Sequence, residues 1–373
     1  MVADELKEIL DKISEKKHTY ICDLLHSQKN TFLLINLLER KLKIDINISG
    51  ISNFSFEEIL NVINQNINSK DNNLIFNKNC YIESLYEICK ALLIDADFIF
   101  LSDWIFNYIH IDNHIYNNIN YLSAIDDYSE EFGLKLNKEV DNNFFDFIFK
   151  QVNDEKLCLA RIDAFYCPWN KAYNKEHTYH FLVIFDINVD EKYFLCKDPF
   201  VSKNRFYKIP YRLINDMITN VFCYERVEVN KKLNERSMLE CLVSKKNLTV
   251  IINKSFCSFI NDLQSITDIE ELFNSDFEEL NILCMKISQI FITRHNIASI
   301  LVKYNSDNFK KLIELYENSY FHWKKVNFIL LKLLILKVDL NKTMNIICEE
   351  LQIIYQIESN IYKEALKQMG KYK

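Results

Sequence analysis

Two short apolar runs joined by one polar turn constrain this chain more than any other stretch. HFLVIFDI begins at His180, and KYFLCKDP ends at Pro199. Both runs have the length of a strand and are rich in aromatic and β-branched residues, which pack well on a pleated surface. Pro199 closes the second run because proline has no ladder N–H. The turn Asn188-Val189-Asp190-Glu191 folds the runs antiparallel. Pairing centred on Val189 sets His180 opposite Asp198, and cross-strand β-carbons lie about 5 Å apart. A carboxylate there fixes the tautomer of the imidazole, which is half of a nucleophilic triad. The other half, a thiol or hydroxyl, must come from elsewhere in the chain.

Cys80 is the candidate, in NKNCYIESLYEICKALL at the start of an apolar-periodic helix. Unpaired N–H groups and the positive dipole end at a helix N-terminus favour thiolate over thiol. The Cys80 amide is then placed to donate to an oxyanion, with Asn77 or Asn79 as a side-chain donor. Cys89 on the same helix reads as structural, and Cys158, Cys167 and Cys196 fall on strands or a loop without a helix end. His177 competes with His180. Its odd offset places it on the other face of an extended strand, or in the loop before it.

Only three Gly and three Pro occur in 373 residues. That excludes a glycine-rich phosphate loop and favours helices joined by short polar turns. The net charge of −7 comes without a basic stripe, so nucleic acid is not an expected partner. The opening MVADELKEILDKI has no apolar signal region. VNFILLKLLILKV is too short to span a bilayer and carries Lys332 and Lys337, so no membrane partner is expected. Eleven Cys without a C-x-x-C knuckle or a secreted disulfide framework point to a cytoplasmic chain with reduced thiols. His110 with His114, and Cys22 with His26, have helical spacing for a metal, but third and fourth ligands are missing and no metal is expected.

Residues 1–68 read as a small helical unit, with DELKEILDKI, then NTFLLINLLERKLKIDI, then Ser55 opening a helix with Glu58 three positions on. The arrangement resembles an acyl- or peptidyl-carrier protein, but the place of the attachment serine falls on Gln28, with Ser27 one position off. The unit reads either as a degenerate carrier-like or docking domain or as an unrelated helical cap. Residues 69–234 mix helices and strands. CYIESLYEICKALLI, IDDYSEEFGLKL (ended by Gly133) and NNFFDFIFKQVN read as helices. KLCLARIDAFY, NRFYKIP and VFCYERVEV read as strands, and FIFLSDWIFNYIHI fits either. Residues 235–373 carry the i, i+3, i+4 pattern of a helical bundle. The expected class is α+β.

Asn79-Cys80 before a helix, RIDAFYCPWNKAYNKEHTYH from Arg161 to His180, and KDPF from Lys197 to Phe200 together resemble the butirosin-biosynthesis acyltransferases. A D-x-x-Y-x-P element is matched by Asp163, Tyr166 and Pro168. The likeness spans roughly residues 70–230 and, more faintly, the helical remainder with Phe321-His322-Trp323. It implies a papain-like domain, similar to bacteriocin leader peptidases, followed by a helical domain. It further implies transfer of an acyl or peptidyl group from a carrier-protein thioester to an amine. Cys80 would be nucleophile, His180 base and acid, and Asp198 the orienting carboxylate. Asp163, Tyr166, Trp169 and Tyr179 would contact substrate, the aromatic ones walling out water. The partners implied are a carrier protein, whose phosphopantetheine arm bears the substrate, and an amine acceptor; the chain itself would hold no cofactor. The same three side chains also fit a cysteine peptidase or thioesterase, and the fold without catalysis fits a carrier-binding protein.

Overall fold

The computed structural model describes residues 28–42, 79–102, 105–121, 129–202, 205–228, 233–243, 248–273, 281–304, 307–336 and 338–372. They divide into two compact units. The first holds helices α1 (Gln28–Leu42) and α2 (Cys80–Ala91) and the segment Ser129–Lys231. That segment contributes strands β1 (Leu134–Val140), β2 (Cys158–Asp163), β3 (Tyr179–Asn188), β4 (Tyr193–Lys197), β5 (Phe206–Pro210) and β6 (Ile218–Arg226). Helix α3 (Phe144–Asn153) precedes β2, and the one-turn helix α4 (Ile214–Met217) precedes β6.

The strands form one antiparallel sheet in the order β1-β6-β2-β3-β4-β5. Strands β2 to β5 meander, and β6 returns to lie between β1 and β2. Helices cover both faces, which explains why β3 reads as an almost unbroken apolar run. On one face Leu182, Ile184, Phe194 and Ile209 share a core with Ile148 and Val152 of α3. On the other, Phe185 meets Phe32 of α1 with ring centroids 5.0 Å apart, and Phe181 meets Tyr81 of α2 at 5.1 Å.

Helix α2 is the buried centre of this unit. Every residue from Ile82 to Ala91 is buried, Glu83, Glu87 and Lys90 among them. Charges in such a place need partners. Lys90 pairs with Glu39 of α1; Lys197, at the end of β4, pairs with Glu87 at 2.8 Å and hydrogen-bonds Asn36. These contacts lock α2 to α1 and to the strand end that leads into Asp198.

Several expectations change. The helix expected over IDDYSEEFGLKL is, in its described part, a 3-10 turn at Ser129–Phe132. Gly133 then takes φ 93°, and LKLNKEV becomes the edge strand β1. Helix α1, expected within a separate 1–68 unit, packs in the sheet unit: Lys29 pairs with Asp186 at 2.6 Å, and Gln28 Oε1 accepts the Leu157 N–H at 3.1 Å. The rest of that expected carrier-like unit, including Ser27, Ser55 and Glu58, lies outside the described residues.

The second unit takes the 97–121 segment, placed by sequence in the middle domain, together with the chain beyond the sheet. A short helix at Asp97–Ser102 and a two-stranded ladder pairing Phe106–Tyr108 with Ile119–Tyr121 settle the stretch that fitted either helix or strand. The C-terminal helices follow: α5 (Glu235–Val243), α6 (Leu248–Ser265), α7 (Ile282–Lys303), α8 (Lys310–Leu336) and α9 (Leu340–Met369). At their centre, Glu358 Oε1 accepts from Arg294 Nε (3.0 Å) and Nη2 (2.8 Å), Ser319 Oγ (3.1 Å) and Trp323 Nε1 (2.8 Å). The protein is thus α+β, an antiparallel sheet unit followed by helices. No helix among the described residues is long and apolar enough to cross a membrane.

Candidate active site

Asn79 is the N-cap of α2. Its Oδ1 accepts the N–H groups of Tyr81 and Ile82 at 3.1 and 3.3 Å, which fixes the helix start and sets Cys80 at its first position. That oxygen is therefore committed to the cap; of the side chain, only Nδ2 can serve an oxyanion. Asn77 lies outside the described residues. Among the described cysteines only Cys80 and Cys257 are not buried.

His180 is the second residue of β3 and is 4% exposed. Its Nε2 lies 2.8 Å from Asp198 Oδ2, and Asp198 is fully buried. A carboxylate only accepts, so Nε2 carries the proton and Nδ1 is left for the thiol. The pairing is diagonal, which corrects the expected register. Val183 opposes Lys197, Asn188 opposes Tyr193, and Phe185 is an extra residue between them. Continued outward, this register sets Leu182 beside Asp198, with His180 two residues further along the same face.

The carboxylate of Asp198 is held on both oxygens. Oδ1 accepts the Val201 N–H at 3.1 Å, and Oδ2 also accepts Trp169 Nε1 at 3.0 Å. Trp169 is stacked on Tyr207 with centroids 4.5 Å apart. Phe200 closes over the His180 ring edge-on at 5.4 Å. Cys80, at the first position of α2, completes the group and acts on the His180 ring electrostatically.

Burial pulls the His180 pKa down, but the electrostatic influence of Cys80, then the hydrogen bond to Asp198, outweigh it and push it up to about 10. The neighbouring thiols are unsuited to attack. Burial, then the Asp198 carboxylate, push Cys167 up to about 12, and burial raises Cys196 and Cys89 well above the usual thiol range.

A raised histidine pKa stabilises the folded state most when the unfolded chain is also protonated. The contribution is complete below the ordinary 6.5 and is lost as pH rises through about 10. Cys80→Ala removes the largest influence raising the pKa. An NMR titration of the His180 ring is expected to show a lower pKa in that variant than in wild type, and an unchanged value would disconnect the two side chains.

The other sequence candidates fall in different places. Asp163 Oδ1 caps a 3-10 turn through the Phe165 N–H at 3.0 Å, and its Oδ2 lies 2.6 Å from Nδ1 of exposed His177. His177, the rival base, is thus occupied in the loop, stacked on Phe165 at 4.3 Å. Tyr166 packs against the sheet core and edge-on to Phe165. Tyr179 is 63% exposed, under the guanidinium of Arg161. His110 pairs with Asp262 at 2.7 Å, and no group of three metal-ligating side chains occurs among the described residues. Of the four substrate candidates, Trp169 contacts Asp198, the hydrogen-bond partner of His180. Sequence reasoning missed Glu87, Asn36 and Lys197; the only signal was charge inside apolar runs.

No family model matches the chain, and no curated protein matches it.

Proposed function

We propose that this protein is a papain-like cysteine acyltransferase, acting in the cytoplasm, that moves an acyl or peptidyl group from a carrier-protein thioester to an amine. The observation that carries the reading is a cysteine at a helix N-terminus beside a histidine whose far nitrogen is fixed at 2.8 Å by a buried carboxylate. The motif order of the butirosin-biosynthesis acyltransferases supports the thioester donor. The chemistry balances as follows. The Cys80 thiolate attacks the thioester carbonyl, the new C–S bond forms, and the departing thiol takes the His180 proton. An amine then attacks the acyl-enzyme and gives its proton to His180; the C–N bond forms and the Cys80 thiolate leaves. The Cys80 N–H at the helix end is the oxyanion donor.

The same side chains hydrolyse the acyl-enzyme if water enters, so the partition of product decides between transferase and hydrolase. Incubation with an acyl-pantetheine thioester, with and without a primary amine, is expected to give amide only when amine is present. Equal free acid in both would make the protein a hydrolase, and no turnover together with carrier binding would make it a non-catalytic partner.

Trp169 acts here as a positioning residue. Trp169→Phe removes one donor from Asp198 while keeping a ring against Tyr207. The loss of a bond to a charged group is worth roughly tenfold or more in rate. Time-resolved mass spectrometry of Cys80 acylation is expected to show that slowing; an unchanged rate would leave Trp169 with packing alone.

A further inference from the structure

Two consecutive residues of α2 meet two consecutive residues of β3: Cys80 interacts with His180, and Tyr81 packs on Phe181. Phe181 is the cross-strand partner of Arg161 on β2, and Tyr179 lies two residues from Phe181 on the same strand. Cross-strand partners and i, i+2 neighbours share a face of the sheet. Arg161, Tyr179, Phe181 and Tyr81 therefore form one surface beside the Cys80 end of α2. None of the four is buried.

Arg161 is unusual on that surface. Its Cζ lies over the Tyr179 ring, 3.6 Å from the centroid, in cation–π contact. It has no carboxylate in ion-pair range among the described residues. Its neighbour on the other side is Asn220, whose Nδ2 donates to Glu139 at 3.0 Å, and Asp163, two residues along β2 and opposite Tyr179, is engaged by the Phe165 N–H and by His177 at 2.6 Å. A guanidinium seated over a ring and without a carboxylate partner has N–H donors to offer, and such donors receive a planar or tetrahedral anion through paired hydrogen bonds.

We infer that Arg161, seated on Tyr179, binds an anionic group, a carboxylate or a phosphate, on the molecule that acylates Cys80. The inference rests on the acyl-transfer reading for the identity of that molecule, while the seat itself is tested by binding alone. The anion can belong to the thiol side of the donor or to the acyl side, and Arg161 serves either in the same way.

Unreactive thioethers separate the two sources and remove any dependence on Cys80 chemistry. The probes are S-ethylpantetheine, which is neutral, its phosphate ester, and S-carboxypropylpantetheine, titrated by calorimetry into the full chain. One anionic probe is expected to bind about 10- to 100-fold tighter than the neutral one, the range for hydrogen bonds to a charged group. The tighter of the two identifies the side that carries the charge. Arg161→Met, which keeps an apolar stem over Tyr179, is expected to bring all three to the neutral affinity; Arg161→Lys should restore part of the advantage. Equal binding of all three probes to wild type, or an anionic advantage that survives Arg161→Met, would overturn the assignment. Failure of the acyl-transfer reading shows separately, as absence of any adduct on Cys80.

Discussion

His180→Ala is expected to slow acylation of Cys80 by about 10²–10⁴-fold, the range for a positioned acid–base group. The imidazole has two duties at this site. As a cation it holds charge beside the sulfur, and burial within the sheet unit means that little water can replace it. As a base it must then receive the proton of the incoming amine. Removing the ring takes away both. It also leaves the fully buried Asp198, among the described residues, with the Trp169 and Val201 donors only, so folding must be followed in parallel. Equal circular dichroism melts for variant and wild type, with single-turnover adduct formation measured by mass spectrometry, separate a chemical loss from a structural one. A variant that folds and acylates at the wild-type rate would remove His180 from the mechanism.

The largest stability effect is expected in the helical unit. Glu358→Ala leaves Arg294, 1% exposed, with a buried charge and, among the described residues, no carboxylate on its guanidinium. Breaking a buried pair from one side costs about 3–5 kcal/mol. Ser319 and Trp323 lose their acceptor in the same step. Urea unfolding followed at the helical circular dichroism band is the measurement. Replacing both Arg294 and Glu358 by methionine is expected to recover most of the loss, because well-packed apolar groups of similar volume substitute for buried ion pairs at little cost. A loss below about 1 kcal/mol for Glu358→Ala would place the carboxylate within reach of water, contrary to its burial.

What could be read from the sequence follows from which forces are local. Strands β3 and β4 were legible because a sheet covered on both faces demands continuous apolar runs. The helix start at Cys80 was legible because an apolar-periodic run begins there, although Asn79, read as an oxyanion donor, proves to be its cap. The register was not. Phe185 bulges out of the ladder, and the turn runs from Val189 to Lys192, with Lys192 at φ 57°, so the pairing centre moves toward the C-terminus. The dyad survives because diagonal neighbours on one face still reach each other. Gly133 looked like a helix end, yet its positive φ links a 3-10 turn to a strand, and the alternation in LKLNKEV was the better signal. The Lys197–Glu87 and Trp169–Asp198 contacts join residues distant in the chain. Nothing local in KDP or in CPW announces them. Whether 97–121 belongs with the helices or with the sheet is likewise decided by packing, not by its own propensities.

The central claim is that the sulfur at the tip of α2 is the group that becomes covalently loaded. Intact-mass analysis after exposure to an acyl-pantetheine thioester, followed by peptide mapping, tests it most directly. One acyl group is expected on wild type, mapped to Cys80, with none on Cys80→Ala. An unmodified wild-type chain, or an acyl group retained by Cys80→Ala, would contradict it.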